Sequence, residues 1–347
     1  MIAIAVDAMG GDLGVAATVE GVAALSREGG DIHAFLVGDA VAIHDRLRQL
    51  SYDPSRLSVV AARGAVGMGD SPREALERLP DCSLLTAARL VRDGDAQALV
   101  SAGNTGATIL GAAQTFQRLP GVRRAALAAV YPTEARHGPR GDPFALMLDV
   151  GATVSATAEE LLGFAVMGSA YSSVISEIPA PRVALLSNGT EPNKGTPAIV
   201  EAHARLRQSA VAFVGNVEGL DIPRGSADVV VCDGFLGNVV LKMLEGVSDV
   251  FRDLARDASE KSLQWRIGLS ILAPGLKQLR ERTDWKRYGG APLLGFDRVV
   301  IKAHGRSEGR AIRNAVKVAA KAVRGDVTGR IRDGLVALES QAGDSTP

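Results

Sequence analysis

The sequence is poor in residues that would support a disulfide framework or a metal site. It contains two cysteines, Cys82 and Cys232, in 347 residues, and neither belongs to a Cys-x-x-Cys pair, which argues against both. The five histidines have no metal spacing, and the absence of a Gly-x-Ser-x-Gly turn disfavours a Ser-His-Asp hydrolase. We therefore expect no metal and no cofactor, and a reducing cytoplasm as the compartment.

Net charge and long apolar runs are also missing. Lysine plus arginine equals aspartate plus glutamate, 39 against 39, so no overall field favours nucleic acid. No uninterrupted apolar run approaches the roughly 18 residues of a spanning helix, and the first residues lack the basic start and apolar core of a signal peptide. With no Gly-x-Gly-x-x-Gly turn or Walker lysine, nucleotide binding is not supported either. A protein without a membrane span, at most resting on a membrane surface, is predicted.

What the sequence does contain is an alternation of short apolar runs with helical patterns, at 46% hydrophobic residues. Near-continuous apolar strands belong to a parallel sheet covered on both faces, so a three-layer α/β fold with a mostly parallel sheet is predicted. The predicted strands are Ile2–Val6, Ala34–Val37, Ala98–Val100, Leu146–Val150, Val183–Leu186, Ala212–Val214, Val229–Val231 and Val299–Ile301. The predicted helices are Ala16–Arg27, Cys82–Asp93, Thr105–Arg118, Ala158–Ser173, Pro197–Arg207, Leu236–Ala255 and Glu308–Val323.

One catalytic domain is expected over residues 1–338, in one or two lobes, with a polar flexible tail at 339–347. Residues 257–287 interrupt the alternation with apolar and basic residues, which favours an amphipathic helical element on an anionic membrane, an acidic carrier or a second subunit. An ordinary helix packed on its own domain is the alternative. The predicted contact residues are Leu263, Trp265, Arg266, Ile267, Leu269, Ile271, Lys277 and Arg280.

The strongest candidates for chemistry follow two of the predicted strands. Lys194 lies in a glycine- and proline-framed turn after Val183–Leu186, and Asn238 opens the helix after Val229–Val231. Ligand sites of parallel sheets lie outside the carboxyl ends of the strands, so we expect both side chains in one cleft. The lysine can hold an anion and the amide can donate to a polarised carbonyl. A solvated loop lysine and a helix-capping asparagine are the alternatives.

Two glycine turns offer an anion site. Val100–Ala107 passes from a strand through glycine into a helix, where free backbone amides and the helix dipole favour phosphate; its ligands would come from Ser101, Gly103, Asn104 and Thr105. Simple capping of the helix is the alternative. The pair Gly10 and Gly11 lets the backbone approach a ligand closely, although such turns are also common connectors.

Three further polar residues end strands or begin helices. Asp149 would point a carboxylate at the same rim, Asp233 precedes a glycine, and His304 could bind an anion; turn formation or capping is the alternative for each. Cys232 is interpreted as a small buried hydrophobe rather than a nucleophile.

These residues carry a resemblance. The motifs are VDAMGGD at 6–12, SAGNTGA at 101–107, LDVGA at 148–152, MGSAY at 167–171, FVGNVEG at 213–219, ADVVVCDGFLGNVVLK at 227–242, YGGAPLLG at 288–295 and AHGRS at 303–307. In this order they resemble the bacterial phosphate acyltransferases of phospholipid synthesis, the PlsX family. The resemblance covers nearly the whole chain.

The resemblance implies transfer of a fatty acyl group from acyl carrier protein to inorganic phosphate, giving acyl phosphate for a glycerol-3-phosphate acyltransferase. It also implies a homodimer, a cytoplasmic location with peripheral attachment to the inner face of the cell membrane, and a fold similar to phosphotransacetylases and isocitrate or isopropylmalate dehydrogenases. Lys194 and Asn238 would be the catalytic pair, and the 10–11 and 103–104 turns would shape the cleft.

Direct attack of phosphate on the thioester needs no covalent enzyme intermediate, because the enzyme has only to hold both reactants and stabilise an oxyanion. A phosphotransacetylase that uses short acyl-coenzyme A, a decarboxylating dehydrogenase and a non-enzymatic membrane scaffold for acyl carrier protein are the alternatives. The metal-binding aspartates and nucleotide signature of the dehydrogenase are not evident in the sequence.

Overall fold

A computed structural model describes residues 1–262, 264–268, 270–272, 275 and 289–343. Short buried strands alternate with longer helices along this part of the chain. The strands are β1 Ile2–Asp7, β2 Ile32–Gly38, β3 Leu57–Ala61, β4 Ala98–Ser101, β5 Ala126–His137, β6 Asp142–Leu148, β7 Val183–Leu186, β8 Phe213–Val217, β9 Val229–Val231, β10 Ala291–Leu294 and β11 Val299–Lys302.

The helices cover both faces of the sheet. They are α1 Gly14–Arg27, α2 Ala40–Leu47, α3 Pro72–Arg78, α4 Ser83–Asp93, α5 Thr105–Thr115, α6 Ala158–Ile175, α7 Pro197–Leu206, α8 Asp221–Arg224, α9 Gly234–Lys261, α10 Gly309–Arg324 and α11 Val327–Gly343, with a 3₁₀ turn at Pro54–Arg56. In the described ranges no helix is both long and apolar enough to cross a membrane.

All eleven strands of the described chain form one sheet, in the order β3-β2-β1-β4-β11-β10-β5-β6-β9-β7-β8. The first five are parallel to one another, and so are the last four. Between them, β10 is antiparallel to both β11 and β5, and β5 is antiparallel to β6. The two parallel halves therefore run in opposite directions.

The core lies on both faces of the sheet. Helices α4, α5 and the start of α9 pack on one face and α6 packs on the other, while α1 and α10 cover the strands of the first half. Strands β4, β7 and β9 are buried along their whole length, because helices cover both of their faces. That explains their continuous apolar sequence.

The predicted fold class is confirmed, and each predicted strand and helix overlaps an observed one. The sequence interpretation did not include β3, β5 and β10, so it did not anticipate the antiparallel junction in the centre of the sheet. It also placed the end of the ordered domain near Leu338, whereas α11 continues to Gly343.

Candidate active site

The opposite directions of the two halves create two functional edges. The first carboxyl edge is formed by the ends of β1, β4 and β11 and begins at Asp7, Ser101 and Lys302. The second carboxyl edge is formed by the ends of β6, β9 and β7 and leads into residues 149–153, 232–238 and 187–196. Asp149 and the Ser101 turn therefore follow strands that run in opposite directions, which the prediction of one common rim did not anticipate.

Lys194 and Asn238 both belong to the second carboxyl edge. The strands that precede them, β7 and β9, are hydrogen-bonded neighbours in which Leu185 lies opposite Val231. Both side chains are exposed. Lys194 ends a turn in which its backbone amide donates to the Glu191 carbonyl at 3.1 Å. An ammonium and a carboxamide are thus accessible at the ends of two adjacent strands.

The turn after β6 is built around the Asp149 carboxylate. Its side chain is fully buried and accepts hydrogen bonds from the backbone amides of Leu127, Gly151, Ala152 and Thr153 at 2.7–3.1 Å. Backbone amides that satisfy a carboxylate in this way fix the path of the chain. Asp149 therefore has the turn-forming role that was the alternative to substrate contact.

Helix α9 begins directly on this turn. The Gly234 amide donates to the Thr153 hydroxyl at 3.0 Å, and Asp233 caps the helix by accepting from the Leu236 amide at 2.8 Å. Capping was the alternative role for Asp233. The side chain of Asn238 lies beside Gly151, where an added Cβ would be 4.0 Å from it. The start of α9 and the position of Asn238 are consequently fixed by the 149–153 turn.

Cys232, just before this helix, is buried, and its thiol donates to the Asp149 carbonyl at 3.3 Å. Burial raises the pKa of the Cys232 thiol, and the nearby carboxylates of Asp149 and Asp233 raise it further. A thiolate nucleophile is disfavoured in these surroundings, as the sequence interpretation expected.

At the first carboxyl edge the glycine turns contact one another through their backbones. A Cβ on Gly10 would lie 2.5 Å from the Gly103 nitrogen, and Gly11 has φ +93° beside the Gly305 carbonyl. Ser101 is fully buried, donates to Asp7 at 2.7 Å and accepts from the Gly103 amide at 3.0 Å. The sequence predicted Ser101 as a phosphate ligand, but in the structure its hydroxyl is buried and bonded to Asp7.

Helix α5 begins at the same edge. Asn104 caps it by accepting from the Ala107 amide at 3.1 Å, and its amide group donates to the carbonyls of Met68 and Asp70. This is the capping alternative. Thr105, the first residue of the helix, is exposed beside the positive end of the helix dipole.

Sequence reasoning passed over Lys302, the last residue of β11. Its buried ammonium donates to the carbonyls of Ala102 and Ala303 and so ties two turns together. Burial lowers the pKa of Lys302 to about 8, although the charges of Asp7 and Asp12 oppose the change. A single charged residue that ends an apolar strand was the signal available in the sequence.

His304 lies just beyond the first edge, within electrostatic range of α9. It is half-buried, and burial lowers its pKa, while the charges of Glu245 and Lys242 on α9 act on it in opposite directions. The Arg306 amide donates to its Nδ1 at 3.2 Å. Helix α9 thus starts at the second carboxyl edge, and its middle approaches the first.

One side of α9 carries an apolar stripe that faces solvent. Its members recur every three or four residues and are about half exposed or more: Phe235, Val239, Met243, Val247, Val250 and Leu254. Its first two members, Phe235 and Val239, flank Asn238. Of the predicted membrane or carrier contacts, Trp265, Arg266, Ile267 and Ile271 are exposed, and Leu263, Leu269, Lys277 and Arg280 lie outside the described residues.

A buried Thr-His-Asp chain lies at the opposite ends of the second-half strands. The His137 imidazole bonds Asp228 at 2.5 Å and Thr133 at 2.7 Å, and Arg182 donates to Asp228. The Thr133 hydroxyl also donates to the Ala135 carbonyl at 2.9 Å and is nine-tenths buried. Buried and engaged in this way, it is not placed to attack a substrate, and the network joins β5 to the residues that precede β7 and β9.

This network predicts an acid-sensitive term in stability. Burial would raise the pKa of Asp228, but hydrogen bonds from His137 and Arg182 lower it from 3.8 to about 2. A carboxylate with a depressed pKa stabilises the fold above about pH 4 and loses this effect as the pH falls through about 2; the difference corresponds to about 2 kcal/mol. We expect the free energy of unfolding of Asp228→Asn, measured with urea, to depend less on pH between about 2 and 5 than that of the wild-type protein.

The matched control is Asp45→Asn, which changes a carboxylate that is half exposed on α2. Its unfolding curves should keep the wild-type pH dependence. If the free energy of unfolding of Asp228→Asn changes with pH as steeply as that of the wild-type protein, the stabilising role assigned to the Asp228 carboxylate is contradicted.

The described residues contain no group of three or more His, Cys, Asp or Glu side chains that could hold a metal ion. The second edge presents an ammonium, a carboxamide and a helix N-terminus. These groups bind anions and donate to a developing oxyanion. The fold and this edge together define an α/β protein suited to acyl or phosphoryl transfer.

Comparison with known proteins identifies the family. The family model FA_synthesis, described as "Fatty acid synthesis protein", matches residues 2–330. The chain is 45% identical over 326 residues to the phosphate acyltransferase of Myxococcus xanthus, covering 93% of this chain and 91% of that one. It is 42% identical over 331 residues to that of Heliobacterium modesticaldum, covering 95% and 96%.

A phosphotransacetylase structure from Streptococcus pyogenes has a similar fold, with a TM-score of 0.60 at 17% identity over 93% of this chain and 94% of that one. The chain belongs to the fatty acid synthesis protein family, whose curated relatives are named phosphate acyltransferases. The predicted family is thereby confirmed, and the chain is an acyltransferase.

Proposed function

We propose that the chain transfers a fatty acyl group from acyl carrier protein to inorganic phosphate and releases acyl phosphate and free carrier protein. The observation that supports the proposal is that Lys194 and Asn238 are both exposed at one edge of the sheet, after the ends of the adjacent strands β7 and β9. Family membership supplies the reaction class.

In this reaction a phosphate oxygen attacks the thioester carbonyl. The carbonyl becomes a tetrahedral oxyanion, the C–S bond breaks, and the carrier thiolate leaves and takes a proton from solvent. The Lys194 ammonium binds phosphate and neutralises the developing charge, and the Asn238 amide donates to the thioester oxygen. Holding both reactants at one edge removes much of the entropic barrier.

The apolar stripe on α9 supports a long acyl chain rather than an acetyl group. It starts with Phe235 and Val239, which flank Asn238, and continues along the helix to Leu254. Each methylene removed from water contributes about 0.8 kcal/mol, so even partial burial along this stripe strongly favours binding of a long acyl chain.

A homodimer and a peripheral position on the cytoplasmic face of the membrane belong to the same proposal, with the exposed Trp265, Ile267 and Ile271 as contacts.

The test compares acyl phosphate formation from a long-chain acyl carrier protein and from acetyl-coenzyme A at equal phosphate concentration. We expect kcat/KM to be more than about tenfold higher for the carrier-bound long chain, since three extra buried methylenes alone exceed 2 kcal/mol. A preference for acetyl-coenzyme A would instead favour the phosphotransacetylase alternative. The product would feed an enzyme that acylates glycerol-3-phosphate.

A further inference from the structure

The loop that carries Lys194 is hydrogen-bonded to strand β8 through the Glu191 carbonyl. Residues 190–196 are all exposed, yet the Glu191 carbonyl accepts two hydrogen bonds. One comes from the Lys194 backbone amide at 3.1 Å, and the other comes from the Asn216 side chain at 2.9 Å. The same oxygen therefore links the lysine to a side chain on strand β8.

Asn216 is itself held in place by a buried partner. Its exposed fraction is 6%, and its Oδ1 lies 3.0 Å from Nδ1 of His203, a residue of α7 that is 5% exposed. Because a carbonyl only accepts, the Asn216 amide nitrogen must face Glu191, and its oxygen must accept from a protonated His203 Nδ1. The His203 ring also packs edge-on against Phe213 at 5.1 Å.

From these contacts we infer that Asn216 is a positioning residue for Lys194, and that His203 orients Asn216. The inference rests on the proposed function, in which Lys194 contacts phosphate. The amide fixes the turn from which the lysine side chain projects, and a displacement of about 1 Å at a reacting group can cost about 100-fold in rate. Buried hydrogen-bonding partners of this kind supply the rigidity that a surface loop lacks.

The first test is Asn216→Ala. We expect kcat for acyl phosphate formation to fall about 10- to 100-fold, and the Lys194 backbone amide to exchange its hydrogen faster because its acceptor is no longer fixed. In the Lys194→Ala background the same substitution should reduce the rate little further, since a residue that acts only through Lys194 has nothing left to position. Additive losses would overturn the inference.

The control is Val217→Ala, which removes buried apolar volume from the next position of β8. It should lower stability without accelerating exchange at Lys194. If Val217→Ala and Asn216→Ala have the same effects on kcat and on exchange, Asn216 is only a structural residue.

A conservative pair of variants tests His203 without relying on Asn216→Ala to fold. Asparagine places its amide nitrogen near the position of imidazole Nδ1, whereas glutamine places it near Nε2. We therefore expect His203→Asn to retain several-fold more activity than His203→Gln, with slower Lys194 amide exchange. The opposite order would overturn the role of His203. The exchange measurements need no substrate, so they still report on the anchor if Lys194→Ala proves active and the proposed function fails.

Discussion

Replacing Lys194 by alanine is expected to lower kcat for acyl phosphate formation by about 10²–10³-fold, the effect of removing one donor from a developing oxyanion. The KM for phosphate should rise as well, because in the proposed reaction the ammonium binds phosphate before the attack on the thioester. The side chain is exposed, so the variant should fold normally. Initial rates with long-chain acyl carrier protein at varied phosphate concentration measure both parameters.

Two controls separate this effect from a general loss of positive charge. Lys317 lies on α10, which covers the first half of the sheet, and its ammonium pairs with Glu28. Lys317→Ala should leave the rate unchanged. Lys194→Arg keeps the charge but alters its geometry, so only part of the activity should remain. Turnover near the wild-type rate in a folded Lys194→Ala protein would refute the catalytic role.

The second large effect is expected from Gly237→Ala, at the start of α9. Alanine in a helix is normally more favourable than glycine by about 1 kcal/mol. Here, however, the added Cβ would lie 1.9 Å from the Asp149 carbonyl oxygen and 2.9 Å from the Cys232 sulfur. The helix must move away from the 149–153 turn, at a cost of about 1–3 kcal/mol or more. Asn238 moves with it, so both stability and activity should fall.

The same helix provides the matched control. An added Cβ on Gly246 would meet no heavy atom within 4 Å, so Gly246→Ala should raise the free energy of unfolding by about 0.5–1 kcal/mol and leave the rate unchanged. Thermal unfolding and kinetics of the two variants can be compared directly. A Gly237→Ala protein as stable as Gly246→Ala would show that the close contact is absent in solution.

Much of the fold could be predicted because burial on both faces produces a continuous apolar pattern. Strands β7 and β9 have the predicted bounds, and α7 differs from its prediction by one residue. Strand β5 was harder to recognise because its second half mixes polar and charged residues and is only partly buried. Strand β10 contains a proline, which argues against a strand when only the sequence is read.

The candidate site was predictable in its residue types and less so in their roles. Glycine-rich turns after apolar strands identified Lys194 and Asn238, and a pattern of this kind can be read locally. Whether a carboxylate or hydroxyl faces solvent depends on burial by distant segments, as the Leu127 amide that bonds Asp149 and the Asp7 partner of Ser101 illustrate. Asn216 lies in the motif at 213–219, but its role could not be read there, because its partners Glu191 and His203 lie 25 and 13 residues away in the chain.

The order of apolar and glycine-rich segments was enough to predict the α/β class and the two turns that bear Lys194 and Asn238, and the ordered motifs carried the resemblance to the family, because each of these follows from local sequence. The opposite directions of the two half-sheets, the anchor on the Lys194 loop and the burial of Asp149 emerged only with the folded chain. They depend on contacts between residues far apart in sequence, and no local propensity encodes such contacts.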